Sequence, residues 1–249
     1  VRGLDVVMAP SITERSGDPC LVMHFVEGTS LRALLDCVGV TTPPEAALVH
    51  AAMTLAESLS ALHAAADHPI VHGDLSAGNV LVDRDGTFTV LDLGSAAPQG
   101  EPSTDLGTPR YTPPERQPGA PLTTTGDVYS LGVLLWEVAS GRRWPTEAPR
   151  QLPESSTLNG TALGALIKRC IASDPSTRPT DAAMVWQAAA ACATHDGRDA
   201  WCQWLSTAID QPESASDLSK TKGQRAWIGL TLAVGLAVWT ASWFITQML

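Results

Sequence analysis

The chain has 249 residues, 44% hydrophobic and 17% charged, which suits one globular domain plus something unusually apolar. Its formal net charge is -10 and no basic stripe runs along it, which argues against nucleic acid as a partner. Five cysteines, Cys20, Cys37, Cys170, Cys192 and Cys202, stand without a C-x-x-C pair, so reduced buried thiols are expected rather than a zinc site or a disulfide framework.

The chain opens on Val1 rather than methionine, with no signal peptide, and is read as a fragment or a clipped reading frame. Leu4 to Met8 and Leu21 to Val26 are short apolar runs on either side of a turn-rich loop, Pro10 to Asp18, which predicts two strands joined by a long loop. The stretch LVMHFVEGTSLRALL then turns into a helix with Thr29 or Ser30 as its N-cap. Pro43 and Pro44 mark the next helix start, and Ala47, Leu48, Ala51, Leu55, Leu59 and Leu62 repeat near the helical period through Glu45 to Ala66. His63 and His68, at the end of that helix, are expected to be polar surface groups without a catalytic role.

Residues 71–94 read VHGDLSAGNVLVDRDGTFTVLDLG. Val80 to Val82 is apolar, Asp83-Arg84-Asp85-Gly86 has turn chemistry and Thr87 to Leu91 alternates, so the segment predicts a β-hairpin. Folding it about the turn brings Asn79 near Asp92, an amide oxygen beside a carboxylate, two hard ligands suited to Mg²⁺ that keeps its other positions for water and phosphate. Asp74, on the lead-in loop, is placed to accept the proton of an attacking hydroxyl during phosphoryl transfer.

These residues resemble the protein-kinase superfamily, whose catalytic loop reads His-x-Asp-x-x-x-x-Asn and is followed by a metal-binding Asp-x-Gly. His72-Gly73-Asp74, Asn79 and Asp92-Leu93-Gly94 fit that pattern. His-Gly-Asp is shared with antibiotic and choline phosphotransferases, so the substrate class is settled downstream. There Gly107-Thr108-Pro109-Arg110-Tyr111-Thr112-Pro113-Pro114-Glu115 resembles the segment ending of bacterial-type (Hanks-type) serine/threonine protein kinases, which antibiotic phosphotransferases lack. The resemblance implies ATP and Mg²⁺ as cofactors and protein Ser or Thr hydroxyls as acceptors. It makes Asp74 the base, Asn79 and Asp92 the metal ligands, and Thr108 a neighbour of the catalytic acid that favours Ser/Thr acceptors. It makes Met23 the gatekeeper, gives His24 and Val26 to the adenine, places Ser30 near the ribose and adds Leu81 to the nucleotide site. It further implies that His72 packs under Asp-x-Gly, that Asp127 holds the catalytic-loop backbone from below, and that Arg178 pairs with a buried Glu115.

Asp127 to Ser140 has an apolar stretch of about 12 residues interrupted by Glu137, too short for the ~20 that cross a bilayer, and is read as a buried core helix. Residues 181–193 predict a closing Ala-rich helix, and residues 206–225, rich in Pro, Ser, Asp, Lys and Gln, predict a linker. From Ala226 to Leu249 no side chain is charged, and Trp227 to Gln247 would rise roughly 31 Å as a helix, matching the hydrocarbon core. Lys220, Lys222 and Arg225 precede that span, which places the preceding domain in the cytoplasm, held at the cell membrane by a single pass. The expected division is a kinase domain over 1–205 with its small lobe truncated, a juxtamembrane linker over 206–226 and a transmembrane helix over 227–247.

Two departures from the family stand inside the loop. Gly73 replaces an arginine that in many kinases pairs with an activation-segment phosphate, and Ser76 stands where a lysine usually contacts the γ-phosphate. No Gly-rich loop, strand lysine or partner glutamate helix occurs, because they belong before residue 1, so weak ATP binding is expected of this chain. The fold class expected is α+β and kinase-like: a mostly helical large lobe, the last small-lobe strands and one transmembrane helix. The function expected is a membrane-anchored protein serine/threonine kinase, with a pseudokinase scaffold or a small-molecule phosphotransferase as the alternatives.

Overall fold

Small polar side chains and glycines set the ends of the helices. Ser30 is the cap of the first helix, its Oγ accepting the Ala33 N–H at 3.2 Å, and helix α1 (Leu31–Val38) stops at Gly39, which is in a left-handed conformation. Helix α2 (Glu45–His63) follows an extended Pro44. Helix α3 (Thr124–Ser140) begins where Thr123 Oγ1 accepts the Gly126 N–H and ends at left-handed Gly141. Thr161 and Asp181 cap helices α4 (Ala162–Cys170) and α5 (Ala182–Ala190) in the same way, and helix α6 (Gly197–Asp210) is the last among the described residues. These elements come from a computed structural model that describes residues 25–65, 68–145, 158–193 and 197–210.

Among the described residues five short strands stand between the helices. β1 (Thr29–Ser30), β3 (Val80–Val82) and β4 (Phe88–Val90) form one antiparallel sheet in the order β1-β3-β4, and β2 (Ile70–Val71) pairs with β5 (Ala97–Pro98). The expected β3–β4 hairpin forms, with Val80 opposite Val90 and Val82 opposite Phe88, and Asp83 closes its turn by accepting the Thr87 N–H on its carboxylate at 2.8 Å. Helices α2 and α3 supply the centre of the core: Leu48, Leu55 and Leu59 meet Leu131, Leu134 and Val138, all buried. Helix α3 is buried all round, which is why its sequence lacks a polar face.

Several expectations change. Of the two opening strands, Phe25 and Val26 carry no regular structure, and the rest lies outside the described residues, as do Met23 and His24. The long helix ends at His63 rather than Ala66, and the Ala-rich one spans Ala182–Ala190. Helix α4 had no expectation in the sequence. Helix α6 runs unbroken to Asp210, across the boundary expected after residue 205, so the expected linker begins inside a helix. The expected membrane span, Trp227 to Gln247, lies outside the described residues, among which no helix is long and apolar enough to cross a membrane.

Candidate active site

Helix α3 anchors the site from beneath. Asp127, 2% exposed in its first turn, accepts the backbone N–H of His72 on Oδ2 at 2.7 Å and that of Gly73 on Oδ1 at 3.0 Å. A buried carboxylate requires such donors, and His63 Nε2 supplies a third at 3.0 Å. The Ala182 N–H donates to His63 Nδ1 at 3.1 Å, which leaves the ring proton on Nε2 and aims it at Asp127. His63 is thus a buried strut between α5 and the catalytic loop, contrary to the surface group expected. Its register could have shown this: it continues the buried Leu55 and Leu59 row of α2 at four-residue steps. His68 is exposed, as expected.

His72, fully buried, accepts the Asp74 N–H on Nδ1 at 3.3 Å, and its Nε2 donates to the Leu91 carbonyl at 3.1 Å. It therefore ties the catalytic loop to the strand end that leads into Asp92. The other tie is backbone to backbone: the Leu91 N–H donates to the Asn79 carbonyl at 2.8 Å, continuing the hairpin ladder to the base of Asn79 and Asp92. This backbone pairing puts Asn79 opposite Leu91, the residue before Asp92.

Asn79 Nδ2 donates to the Asp74 carbonyl at 2.9 Å and to its carboxylate at 3.2 Å. That fixes the amide so that Oδ1, the atom able to ligate a cation, is turned away from Asp74, and no donor among the described residues engages it. Asp92, the one described non-glycine residue with positive φ (64°), accepts the Gly94 N–H on Oδ1 at 3.1 Å and is exposed. A left-handed aspartate is costly unless such a local bond offsets it. The pair fits Mg²⁺ in its chemistry: an amide oxygen and a carboxylate are the hard ligands that this cation takes beside water and phosphate. Among the described residues no group of three or more His, Cys, Asp or Glu offers a denser cation cage.

Thr108 reaches Asp74 through its backbone: its N–H donates to Oδ1 at 2.6 Å. The neighbouring Gly107 has φ 62°, and a Cβ there would stand 2.9 Å from the Gly73 carbonyl and 3.0 Å from Asp74 Oδ1, so only glycine allows this approach. Gly73 itself has φ 79°, a conformation an arginine would adopt only under strain. Ser76, 4% exposed, stands just before the 3-10 turn Ala77–Asn79 and places no cation in the site. Of the residues expected at the nucleotide, Ser30 and Leu81 are brought together as partners in the β1–β3 register.

The segment from Ser95 to Glu115, rich in Pro, Gly, Ser and Thr, has bonding that composition did not reveal. Residues 100–103 and 119–122 pair in a short antiparallel ladder, with the Leu122 N–H on the Glu101 carbonyl at 2.9 Å and Pro102 opposite Pro121. Asp105 clasps its two ends: its carboxylate accepts the Ser95 hydroxyl at 2.5 Å and the Gly107 N–H at 2.9 Å, and its carbonyl accepts Arg116 Nη2 at 2.6 Å. The Ser95 bond first, and then the Gly107 N–H, hold the Asp105 carboxyl below the usual carboxylate range.

Beyond the clasp, Tyr111 donates its hydroxyl to Glu137 Oε2 at 2.6 Å. Burial, then the adjacent Glu137 charge, push this tyrosine up to about 12. Glu137, expected only as an interruption in an apolar helix, is a buried carboxylate that also accepts from the Trp144 N–H at 2.8 Å and from Arg32. The expected Arg178–Glu115 pair forms with both guanidinium nitrogens on both carboxylate oxygens, at 2.7 and 2.8 Å. The burial is the reverse of expectation: the Arg178 side chain is 0% exposed and that of Glu115 32%.

Residues 3–194 match the family model for the protein kinase domain. The chain is 33% identical to "Serine/threonine-protein kinase pkn2" of Myxococcus xanthus, over 89% of this chain and 30% of that protein. It is 33% identical to "Serine/threonine-protein kinase PkaA" of Streptomyces coelicolor, over 64% of this chain and 32% of that protein. The chain thus spans about a third of the length of these curated relatives. Among solved structures, the Cydia pomonella granulovirus kinase PK-1 matches with a TM-score of 0.50 and 24% identity, over 61% of this chain and 62% of that one, a likeness of fold. With the catalytic-loop geometry and the family match in agreement, the chain belongs to the protein kinase domain family.

Proposed function

We propose that the protein is a serine/threonine protein kinase that transfers the γ-phosphoryl group of Mg-ATP to a protein hydroxyl. The observation that carries this reading is Asp74, a carboxylate oriented by the Thr108 N–H on one oxygen and by Asn79 on the other. In the step proposed, the acceptor oxygen bonds to the γ-phosphorus, its proton passes to Asp74, and the bond to the bridging oxygen of the departing ADP breaks. Asn79 Oδ1 and the Asp92 carboxylate would hold Mg²⁺, which when bound offsets negative charge on the phosphates. Ser30, Leu81 and Val26, with Met23 and His24, are assigned to the nucleotide by the family pattern.

The sequence also supports an anchor at Trp227 to Gln247 with the kinase domain on the cytoplasmic side, from its uncharged length and the cations that precede it. A pseudokinase scaffold is the second reading, and the buried Ser76 in place of a cation favours it.

The protein carrying its complete small lobe is expected to label itself or a basic carrier protein from γ-labelled ATP in a Mg²⁺-dependent way. Asp74→Asn is expected to abolish labelling. Absence of transfer from the folded wild-type protein would leave the scaffold reading in place.

A further inference from the structure

Helix α6 lies beyond residue 194, where the family match ends, yet it packs on the hairpin that carries the candidate metal ligands. Trp201, 0% exposed, sets its ring edge-on to Phe88 of β4 at 4.8 Å and tilted against Trp204 at 5.1 Å. Arg198 Nε donates to the Asp85 carbonyl at 2.5 Å, its guanidinium lies 3.8 Å from the Asp85 carboxylate, and Cys202 Sγ reaches the Arg84 carbonyl at 3.6 Å. At Gly86 a Cβ would stand 3.1 Å from the Trp201 ring and 3.3 Å from Cys202 Sγ, so helix and turn meet without space for a side chain. His50 of α2, against which the start of α6 packs, bonds the Gly86 carbonyl at 2.8 Å, and its ring meets Phe88 edge-on. The turn end of the hairpin is therefore held by both α2 and α6.

The opposite end of that hairpin presents Asn79 and Asp92. Phe88 is four residues from Asp92, a lever of about 13 Å in extended chain. Val82 lies opposite Phe88, three residues from Asn79. A shift of Phe88 within the sheet passes to both ligands through the Val80–Val90 and Asn79–Leu91 pairings. The Trp201 and Trp204 indole N–H groups have no hydrogen-bond partner among the described residues, so ring packing holds this contact, aided by the Arg198 clamp at the turn.

We propose that α6 is part of the catalytic apparatus of this chain, with Trp201 and Arg198 as positioning residues that set the separation of Asn79 and Asp92 and hence the affinity for the divalent cation. The proposal rests on the reading of Asn79 and Asp92 as metal ligands. It differs from a purely structural role in that loosening α6 changes cation binding while the domain stays folded.

The test uses the purified full chain with Mn²⁺ alone as probe, free Mn²⁺ being read by electron paramagnetic resonance and amide exchange being followed at Leu91. Trp201→Ala is expected to weaken Mn²⁺ binding about tenfold, roughly 1.4 kcal/mol, and to speed Leu91 exchange. The His72 and Gly73 amides on Asp127 should keep their protection. Trp201→Phe should restore most of both signals, Arg198→Ala should give an intermediate loss, and Trp186→Ala, on the exposed face of α5, should change neither. If Trp201→Ala does not fold, Arg198→Ala decides by the same readouts. Wild-type Mn²⁺ affinity and Leu91 exchange in folded Trp201→Ala or Arg198→Ala overturns the proposal. If the wild-type chain binds no Mn²⁺, the metal reading of Asn79 and Asp92 fails, and Leu91 exchange still decides whether α6 sets the hairpin.

Discussion

Truncating Glu115 to alanine isolates the contact that fastens the end of the activation segment to the helical lobe. It removes two charge-assisted hydrogen bonds of about 1.5–3 kcal/mol each and leaves a guanidinium with no exposed surface short of its counter-charge. Two features reduce the cost. Glu115 is a third exposed, so part of its charge is already solvated, and Arg178 keeps the carbonyls of Ala172, Thr125 and Ser173 and its position 4.8 Å over the Tyr129 ring. The net expectation is about 3 kcal/mol, the lower end of what breaking a buried pair costs. For a domain of this size that lowers a thermal midpoint by about 6–12 °C. Glu101→Ala, at an exposed position, is the control and should cost about 0.5 kcal/mol or less. Glu115→Gln, which keeps shape and one acceptor, should fall between them. Differential scanning calorimetry of the three variants checks the order, and equal midpoints for Glu115→Ala and Glu101→Ala would refute the reasoning.

Three further outcomes are expected. His63→Leu should cost about 2–3 kcal/mol in urea unfolding, because it strands the Ala182 N–H and removes one donor from buried Asp127; a loss under half that would show that water replaces the ring. The Tyr111 hydroxyl titrates above its ordinary 10.0, at about 12 in the fold, so its contribution to stability is complete below pH 10 and lost as pH rises toward 12. Tyr111→Phe should flatten the alkaline fall in stability over that window, and an unchanged profile would refute the assignment. The full chain should fractionate with membranes and a chain ending at Arg225 should not, while protease added to intact spheroplasts should spare the kinase domain; recovery of the full chain in the soluble fraction would refute the anchor.

The hairpin was legible because its signals are local: turn chemistry at residues 83–86, alternation after it, and the candidate ligands Asn79 and Asp92 flanking its two strands. The Arg178–Glu115 pair and the Asp127 anchor could be placed only through a family pattern, since their partners lie 63 and 55 residues apart in sequence. His63 was misjudged because a polar residue on a helix reads as exposed unless its partners are known, and its partner is the distant Ala182 backbone N–H. Glu137 was read only as an interruption in a core helix, because composition does not mark its partners Tyr111, Arg32 and the Trp144 backbone N–H. Helix α6 was missed in part because its three opening residues, Gly197, Arg198 and Asp199, carry turn-like and charged chemistry. Its aromatic anchor shows itself only when Phe88 is brought opposite.

The bonding within residues 95–122 bears on how an acceptor arrives. A flexible segment of this length would have to be ordered at encounter, at about 1–2 kcal/mol per residue fixed. Here the ladder at residues 100–103 and 119–122 and the Asp105 clasp hold the shape through bonds within the chain itself. On the protein-kinase reading proposed above, an incoming polypeptide acceptor would meet a surface that its own arrival need not create. Its association should proceed at the rate set by diffusion and orientation, with no slow loop-ordering phase ahead of it, and discrimination between good and poor acceptors should appear in how long each remains bound.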